Sequence, residues 1–392
     1  MNSPMLGRLL RKLVSSVTSS KHRGKEVPVV FIKSPETAKP SFNILDLYGH
    51  SAKKGEVGLE IEVEGNCFPK PPGHAGTHHP VKMPLLKYWS YVHDGSLRGV
   101  DNAEYVLSSP IAFNDVEEAL NLLWADLRAF GSVLDDSNRT SVHVHLNVQR
   151  FHLNRLTAFC AIYYVLEDIL IEWCGDHRVG NLFCLAAKDA PGSASQLRRF
   201  IQKDGQASFS DGLHYAALNP LALAKHGSVE IRTMRGPTKD FSLILDWVRI
   251  LERIYNTSDN YKDPRDLCRM FSSFGPRSFM DSLLGEMGEV IRNGVQRTDE
   301  ELYDSLYEGM RIAQDLCFCR DWSTFTPYSV KKDAFGRSKK KVMEGLQAAQ
   351  GFAGLPTSPA PMMINTLDDA VEEFMAEFGG DGEEEPDYDE EE

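Results

Sequence analysis

Three short segments alternate charged or polar residues with apolar ones without a break: GLEIEVEG (58–65), SVHVHLNV (141–148) and SVEIRTM (228–234). A period of two is the signature of a β-strand with one face buried, because successive side chains on a strand point to opposite sides. In the first segment Glu60, Glu62 and Glu64 share one face while Leu59, Ile61 and Val63 share the other. In the second the polar face is His143, His145 and Asn147, against Val142, Val144, Leu146 and Val148. In the third it is Glu230 and Arg232 against Val229 and Ile231. An ordinary amphipathic strand carries Lys, Thr, Ser and Gln on its wet side. These strands instead concentrate carboxylates and imidazoles, the groups that bind hard and borderline cations.

Carboxylates two residues apart on a strand lie roughly 7 Å apart, a spacing that suits two neighbouring metal ions. Gathered on one sheet face, such groups repel one another and take up protons unless cations sit between them. Taken singly, a Glu-x-Glu strand is usually a solvated face. Three such strands, each backed by unbroken apolar residues, point to one cation-loaded surface.

Further candidates surround these strands. Asp94-Gly95-Ser96 supplies a turn with a carboxylate and a hydroxyl, and AEYVLSSP adds Glu104 with Ser108 and Ser109. Asp94 read alone is an ordinary turn residue. Arg232 and Arg235 flank Met234 near a strand end, where guanidinium groups clamp anionic oxygens or form surface salt bridges. His74, His78 and His79 sit in the loop PKPPGHAGTHHP, a lid or a plain loop rather than a zinc site, since no fourth ligand accompanies them.

The patterning divides the chain into a basic, largely flexible arm (1–50), a catalytic domain (51–325) and a low-complexity acidic tail (326–392). Within the domain, KYWSYVHDGSL and AEYVLSSPI read as further strands. Asn114 and Gly131 bracket a helix as N- and C-caps, and a second, largely buried helix runs over about 154–173. The stretch 175–225 reads as irregular. Helices follow over 241–255, 278–293 and 298–319, with a short one expected near 366–378 of an otherwise mobile tail. Strands mixed with helices in this order give an α+β class.

A chain of 392 residues, 42% hydrophobic, can bury one large core or two ordinary ones. Its net charge of -13 argues against nucleic-acid binding, which needs a basic surface. Much of that charge is local, in GGDGEEEPDYDEEE (379–392). Seven cysteines without a CxxC pair fit reduced thiols in the cytoplasm, and no stretch reaches the ~18 apolar residues of a membrane span. Residues 1–25 carry Arg8, Arg11, Lys12, Lys21, Arg23 and Lys25 with no acid, which reads as a disordered lead-in, a transit peptide or a docking arm. This arm and the acidic tail are the candidate contacts for a protein partner.

The order Gly-x-Glu-x-Glu (58–62), Asp-Gly-Ser-Leu (94–97), Ala-Glu-x-x-x-Ser-x-Pro (103–110), His-Val-His-Leu-Asn (143–147) and Val-Glu-Ile-Arg (229–232) resembles the amidoligase family, which is similar to glutamine synthetase and glutamate-cysteine ligase. The resemblance spans roughly 55–260 and implies an antiparallel β-sheet forming a catalytic funnel covered by helices. It implies ATP-dependent joining of a carboxylate to an amine through an acyl-phosphate, with two Mg2+ ions or Mn2+ in their place. The substrate would be a small molecule, peptide or protein carrying those groups. By the same carry-over Glu62 and Glu104 hold one ion, and Glu60, His143 and Glu230 the other. His145 and Asn147 approach the nucleotide phosphates and Arg232 stabilises the transferred phosphoryl group; of the candidates read from the residues themselves, Ser96 joins the nucleotide contacts, and Asp94 and Arg235 the reacting centre. Where glutamine synthetase has an arginine two residues before the Glu of its Glu-x-Arg strand, this chain has Ser228, which leaves the amine donor open. A metal-dependent hydrolase and a ligase fold retained only for binding or assembly are the competing readings.

Overall fold

The computed structural model describes residues 43–71, 81–82, 87–98 and 101–322. Residues 1–42 of the basic arm, the loop histidines His74, His78 and His79, the acidic tail and the helix expected near 366–378 lie outside the described residues.

The charged-and-apolar segments form neighbouring strands of one antiparallel sheet. Its strands are β1 (Val57–Asn66), β2 (Val81–Lys82), β3 (Trp89–Val92), β4 (Asp101–Leu107), β5 (Val133–Leu134), β6 (Ser141–Asn147), β7 (Leu218–Asn219) and β8 (Ser228–Arg235). They lie in the order β2-β3-β4-β1-β6-β8-β7, with β5 paired to β1. The architecture is α+β, since helices cover the apolar face. Val57, Leu59, Ile61 and Val63 of β1, Val142, Val144 and Leu146 of β6, and Val229, Ile231 and Met234 of β8 are all buried in one core. Burial of this face is the main driving force for docking the helices, at roughly 25 cal/mol per Å² of apolar surface removed from water.

That core is completed by α2 (Val116–Phe130), α3 (Leu153–Trp173) and α6 (Ser242–Thr257), which follow α1 (Ile44–Tyr48) and flank α4 (Pro191–Gln202) and α5 (Ala222–His226). The rest of the described chain is α7 (Arg265–Phe271), α8 (Pro276–Leu284), α9 (Met287–Val295) and α10 (Asp299–Cys317). The α3 helix is buried nearly all round, which its almost uninterrupted apolar sequence requires. It lies between the sheet and α10, and α10 opens with a capping box in which Thr298 and Glu301 satisfy each other's backbone N–H groups.

Several boundaries differ from the sequence reading. Gly131 does end α2 in the left-handed conformation, with φ of 78°. Asn114, however, lies inside a 3-10 turn (Phe113–Asp115), and α2 begins at Val116 without a side-chain cap. The helix expected over 278–293 is two helices, because Gly285 takes a φ of 58° between α8 and α9. The stretch 175–225 contains α4 and the short β7, whose two residues are too few for a periodicity to register. Upstream, Ile44 is fully buried and its N–H donates to the Phe151 carbonyl at 3.0 Å, so α1 packs into the same core as the sheet.

One irregularity in the sheet matters for the site. Between β6 and β8, Val144 pairs with Ile231 but Val142 pairs with Met234. Two residues of β8, Arg232 and Thr233, therefore oppose the single residue His143, which is a β-bulge.

Candidate active site

The polar face of the sheet is built by register. Glu60 of β1 lies directly opposite His143 of β6, and Glu62 directly opposite Glu104 of β4. On the next pair, His145 lies opposite Glu230 of β8. Directly opposed Cβ atoms in an antiparallel pair are ~4.5–5.5 Å apart, so residues remote in sequence become neighbours. Ligand atoms of Glu60, His143 and Glu230 all fall within 4.8 Å of one another. One imidazole nitrogen and two carboxylates make a donor set suited to a divalent cation.

Each of these side chains is held. His143 Nδ1 lies 3.1 Å from Glu60 Oε2 and 3.5 Å from Glu230 Oε1, and its Nε2 lies 2.7 Å from Ser141 Oγ. Ser141 donates through both its N–H (2.8 Å) and its hydroxyl (2.7 Å) to Glu62 Oε2. Glu230 accepts from Asn219 Nδ2 at 2.7 Å and from Arg232 Nη1 at 2.6 Å. Outer partners of this kind orient prospective ligands before any ion arrives.

The electrostatics reflect crowded negative charge. Burial pushes the Glu104 carboxyl up to about 9, and the charges of Glu60, Glu62 and Asp94 push the same way. Glu60 goes the other way. Burial opposes its ionisation, but the charge of His145 and hydrogen bonds from His143 and His145 hold it well below the usual carboxylate range. Glu230 is lowered likewise, with burial outweighed by His145, Arg232 and His143. His145 is raised despite its burial, because Glu60 and Glu230 favour its charged form. His145 and Arg232 are thus the partners that offset the glutamates here. A divalent ion bonded to the same oxygens would take over that role, so the donor set fits one.

A cavity of about 350 Å³ opens over this face. Of the residues singled out from sequence, it is lined by Glu60, Glu62, Asp94, Ser96, Glu104, His143 and Arg232. Asp94 caps its own turn, accepting from the Ser96 N–H at 2.7 Å. Glu230 adjoins the cavity through its bonds to Arg232 and His143. His145 stands one pair further along, its Nε2 3.1 Å from Glu60 Oε1. Asn147 does not line the cavity; its amide donates to the Gly55 carbonyl at 2.7 Å and accepts from the Gln149 N–H at 3.1 Å. Arg235 does not line it either, and its side chain lies against Gly175 at the end of α3.

Five lining residues were not singled out from sequence: Arg139, Ser141, Phe183, His214 and Tyr215. Ser141 was within reach, since it continues the polar face of His143 and His145. Phe183, His214 and Tyr215 come from the irregular stretch 175–225, where no periodicity marks a face. Tyr215 packs edge-on against Phe183, so two separate turns of that stretch build one wall.

Residues 53–236, from the approach to β1 through the end of β8, match the family model described as "Putative amidoligase enzyme". These residues form an amidoligase-family domain. The match takes in every cavity-lining residue named above. The matched description is that of a ligase that forms amide bonds. No curated protein matches the chain. The helices beyond the amidoligase match, α6 to α10, contribute buried residues to the same core as the apolar face of the sheet. Among the described residues, no helix is long and apolar enough to cross a membrane.

Proposed function

We propose that the amidoligase domain joins a carboxylate to an amine at the expense of ATP, through an acyl-phosphate intermediate, with two Mg2+ ions or Mn2+ in their place. The observation that carries this reading is the convergence of Glu60, His143 and Glu230 within 4.8 Å, beside the opposed pair Glu62 and Glu104. Two clusters of ligands next to one arginine suit a reaction that moves a phosphoryl group, where positioning and charge neutralisation supply most of the rate. Glu60, His143 and Glu230 would hold one ion, and Glu62 and Glu104 the other. Bound there, the ions would neutralise nucleotide oxygens and polarise the transferred group.

The protein's own groups would do the rest. Arg232, anchored to Glu230 through Nη1, would stabilise negative charge on the phosphoryl group in transit. Asp94 at the cavity wall would accept the proton released by the attacking amine, and Ser96 beside it would contact nucleotide oxygens. His145, its Nε2 3.1 Å from Glu60 Oε1, would act through Glu60 by keeping that carboxylate ionised. The wall made by Phe183, His214 and Tyr215 would exclude water from the acyl-phosphate, whose hydrolysis would waste the nucleotide. The substrate is a small molecule, peptide or protein bearing the carboxylate and amine. All seven cysteines are free thiols, which supports a cytoplasmic setting.

Thermal unfolding with Mg2+ and ATP tests the reading, because only a folded state that binds the nucleotide is stabilised by it. Glu60→Ala and Glu230→Ala should each abolish ADP formation while preserving the far-ultraviolet circular dichroism of the wild type. Continued turnover in both variants would count against the ligase, and a response to chelator without one to ATP would favour a metal-dependent hydrolase.

A further inference from the structure

Arg178 lies outside the cavity and is almost fully buried, at 1% exposure. Among the described residues no carboxylate pairs with it. Instead its Nη2 donates to the Arg232 carbonyl at 2.7 Å and its Nε to the Thr233 carbonyl at 3.0 Å. In a regular strand consecutive carbonyls point to opposite edges, so one side chain could not reach both. It can do so here because Arg232 and Thr233 are the two bulged residues of β8.

The bulge decides which side chains enter the cavity. Strict alternation from Glu230 would send both Arg232 and Met234 to the polar face. The extra residue keeps Arg232 there and returns Met234 to the core, where it is 1% exposed opposite Val142. The bulged segment is pinned elsewhere by the Arg232 N–H, which donates to the Ala217 carbonyl at 2.9 Å, and by Tyr163, whose hydroxyl lies 2.5 Å from Thr233 Oγ1. Neither of these contacts satisfies the two carbonyls. A permanently charged group buried without an anion is a weak stabilising device, but it supplies paired donors to the two adjacent carbonyls of the bulge.

We infer that Arg178 is a positioning residue for Arg232: its guanidinium replaces the ladder bonds lost at the β8 bulge and so fixes the Arg232 side chain against Glu230 over the cavity. The inference rests on the proposed reading that Arg232 meets the transferred phosphoryl group. Without Arg178 the two carbonyls lose their donors, and the backbone that carries the Arg232 side chain against Glu230 is no longer held in place.

The test compares Arg178→Met, Arg178→Lys, Arg232→Met and the double variant Arg178→Met/Arg232→Met by calorimetric titration with Mg2+ and either AMP-PNP or ADP. Loss of a group that orients a site residue costs on the order of 10–100-fold. Arg178→Met should weaken AMP-PNP by that factor and leave ADP at the wild-type value, with Arg178→Lys in between. The double variant should be no weaker than Arg232→Met alone, because a residue that acts through another adds nothing once that other is gone. Equal losses for both nucleotides, or additive losses in the double variant, would overturn the inference. Should the Met variant not fold, the Lys variant carries the same comparison. A crystal structure of either Arg178 variant decides the positioning separately from the nucleotide: loss of the Arg232–Glu230 bond supports it, and an unchanged bulge and bond overturn it. Wild-type protein that binds neither nucleotide would defeat the ATP reading, and the crystal structure alone would then decide the role of Arg178.

Discussion

Replacing Glu104 with glutamine should stabilise the metal-free protein, although it removes a group from the centre of the site. The Glu104 carboxyl is raised from 4.5 to about 9 by burial and by the charges of Glu60, Glu62 and Asp94. Its folded-state value exceeds its unfolded one, so its contribution to stability is fully present below pH 4.5 and is lost progressively as pH rises towards 9. At pH 7 the loss spans about 2.5 pH units at ~1.4 kcal/mol each, or about 3.5 kcal/mol. Glutamine mimics the protonated carboxyl and carries no such penalty. At ~2–4 °C per kcal/mol for a domain of this size class, Glu104→Gln should melt roughly 7–14 °C above wild type in EDTA at pH 7. The two proteins should converge below pH 4.5. Added Mg2+ should narrow or reverse the gap, since the wild type gains a bound cation where the variant has lost a ligand. Differential scanning fluorimetry across pH 4–9, with and without Mg2+, reads all of this. A variant no more stable than wild type in EDTA at pH 8 would refute the crowding of carboxylates on which the metal assignment rests.

Glu167→Gln provides a control remote from the sheet's polar face. Burial raises that carboxyl to about 8, so the variant should also gain stability between pH 5 and 8, but its gain should be indifferent to Mg2+ in the same fluorimetric scan. Asn219→Ala removes the donor to Glu230 Oε2 and should weaken Mn2+ binding on the order of 10–100-fold, measured by electron paramagnetic resonance titration. Affinity unchanged in that variant would argue that Glu230 is not a ligand. Gly55→Ala would place a Cβ 2.3 Å from the Pro110 carbonyl carbon and 2.4 Å from the Ile111 nitrogen. Backbone on both sides leaves no room to yield, and urea unfolding should show a loss of about 1–3 kcal/mol or more.

The sequence by itself determined the chemistry of the sheet's two faces. In β1, β6 and β8 the period-two alternation separates glutamates and histidines from valines, leucines and isoleucines, and a strand can express that pattern in only one way. It therefore announced both the buried face and the carboxylate-rich one, and with them the candidate ligands Glu60, Glu62, His143 and Glu230. The helices α3 and α6 were equally legible, because their apolar residues recur at helical spacing or fill the whole circumference.

Tertiary structure decided which of these residues meet. Pairing register, a property of two strands at once, sets Glu60 against His143 and Glu62 against Glu104. The β8 bulge breaks the alternation after Arg232, so the same strand that aims Arg232 at the cavity sends Met234 to the core, while Arg235 lies along Gly175. Arg139, Phe183, His214 and Tyr215 reach the cavity from loops whose path depends on the surfaces beneath them. Asn219 supports Glu230 from a strand of two residues. Local pattern reports the environment of a side chain only where the backbone repeats regularly. A bulge, a loop and a cross-strand partner are each fixed by contacts with distant parts of the chain, and no period in the sequence records them.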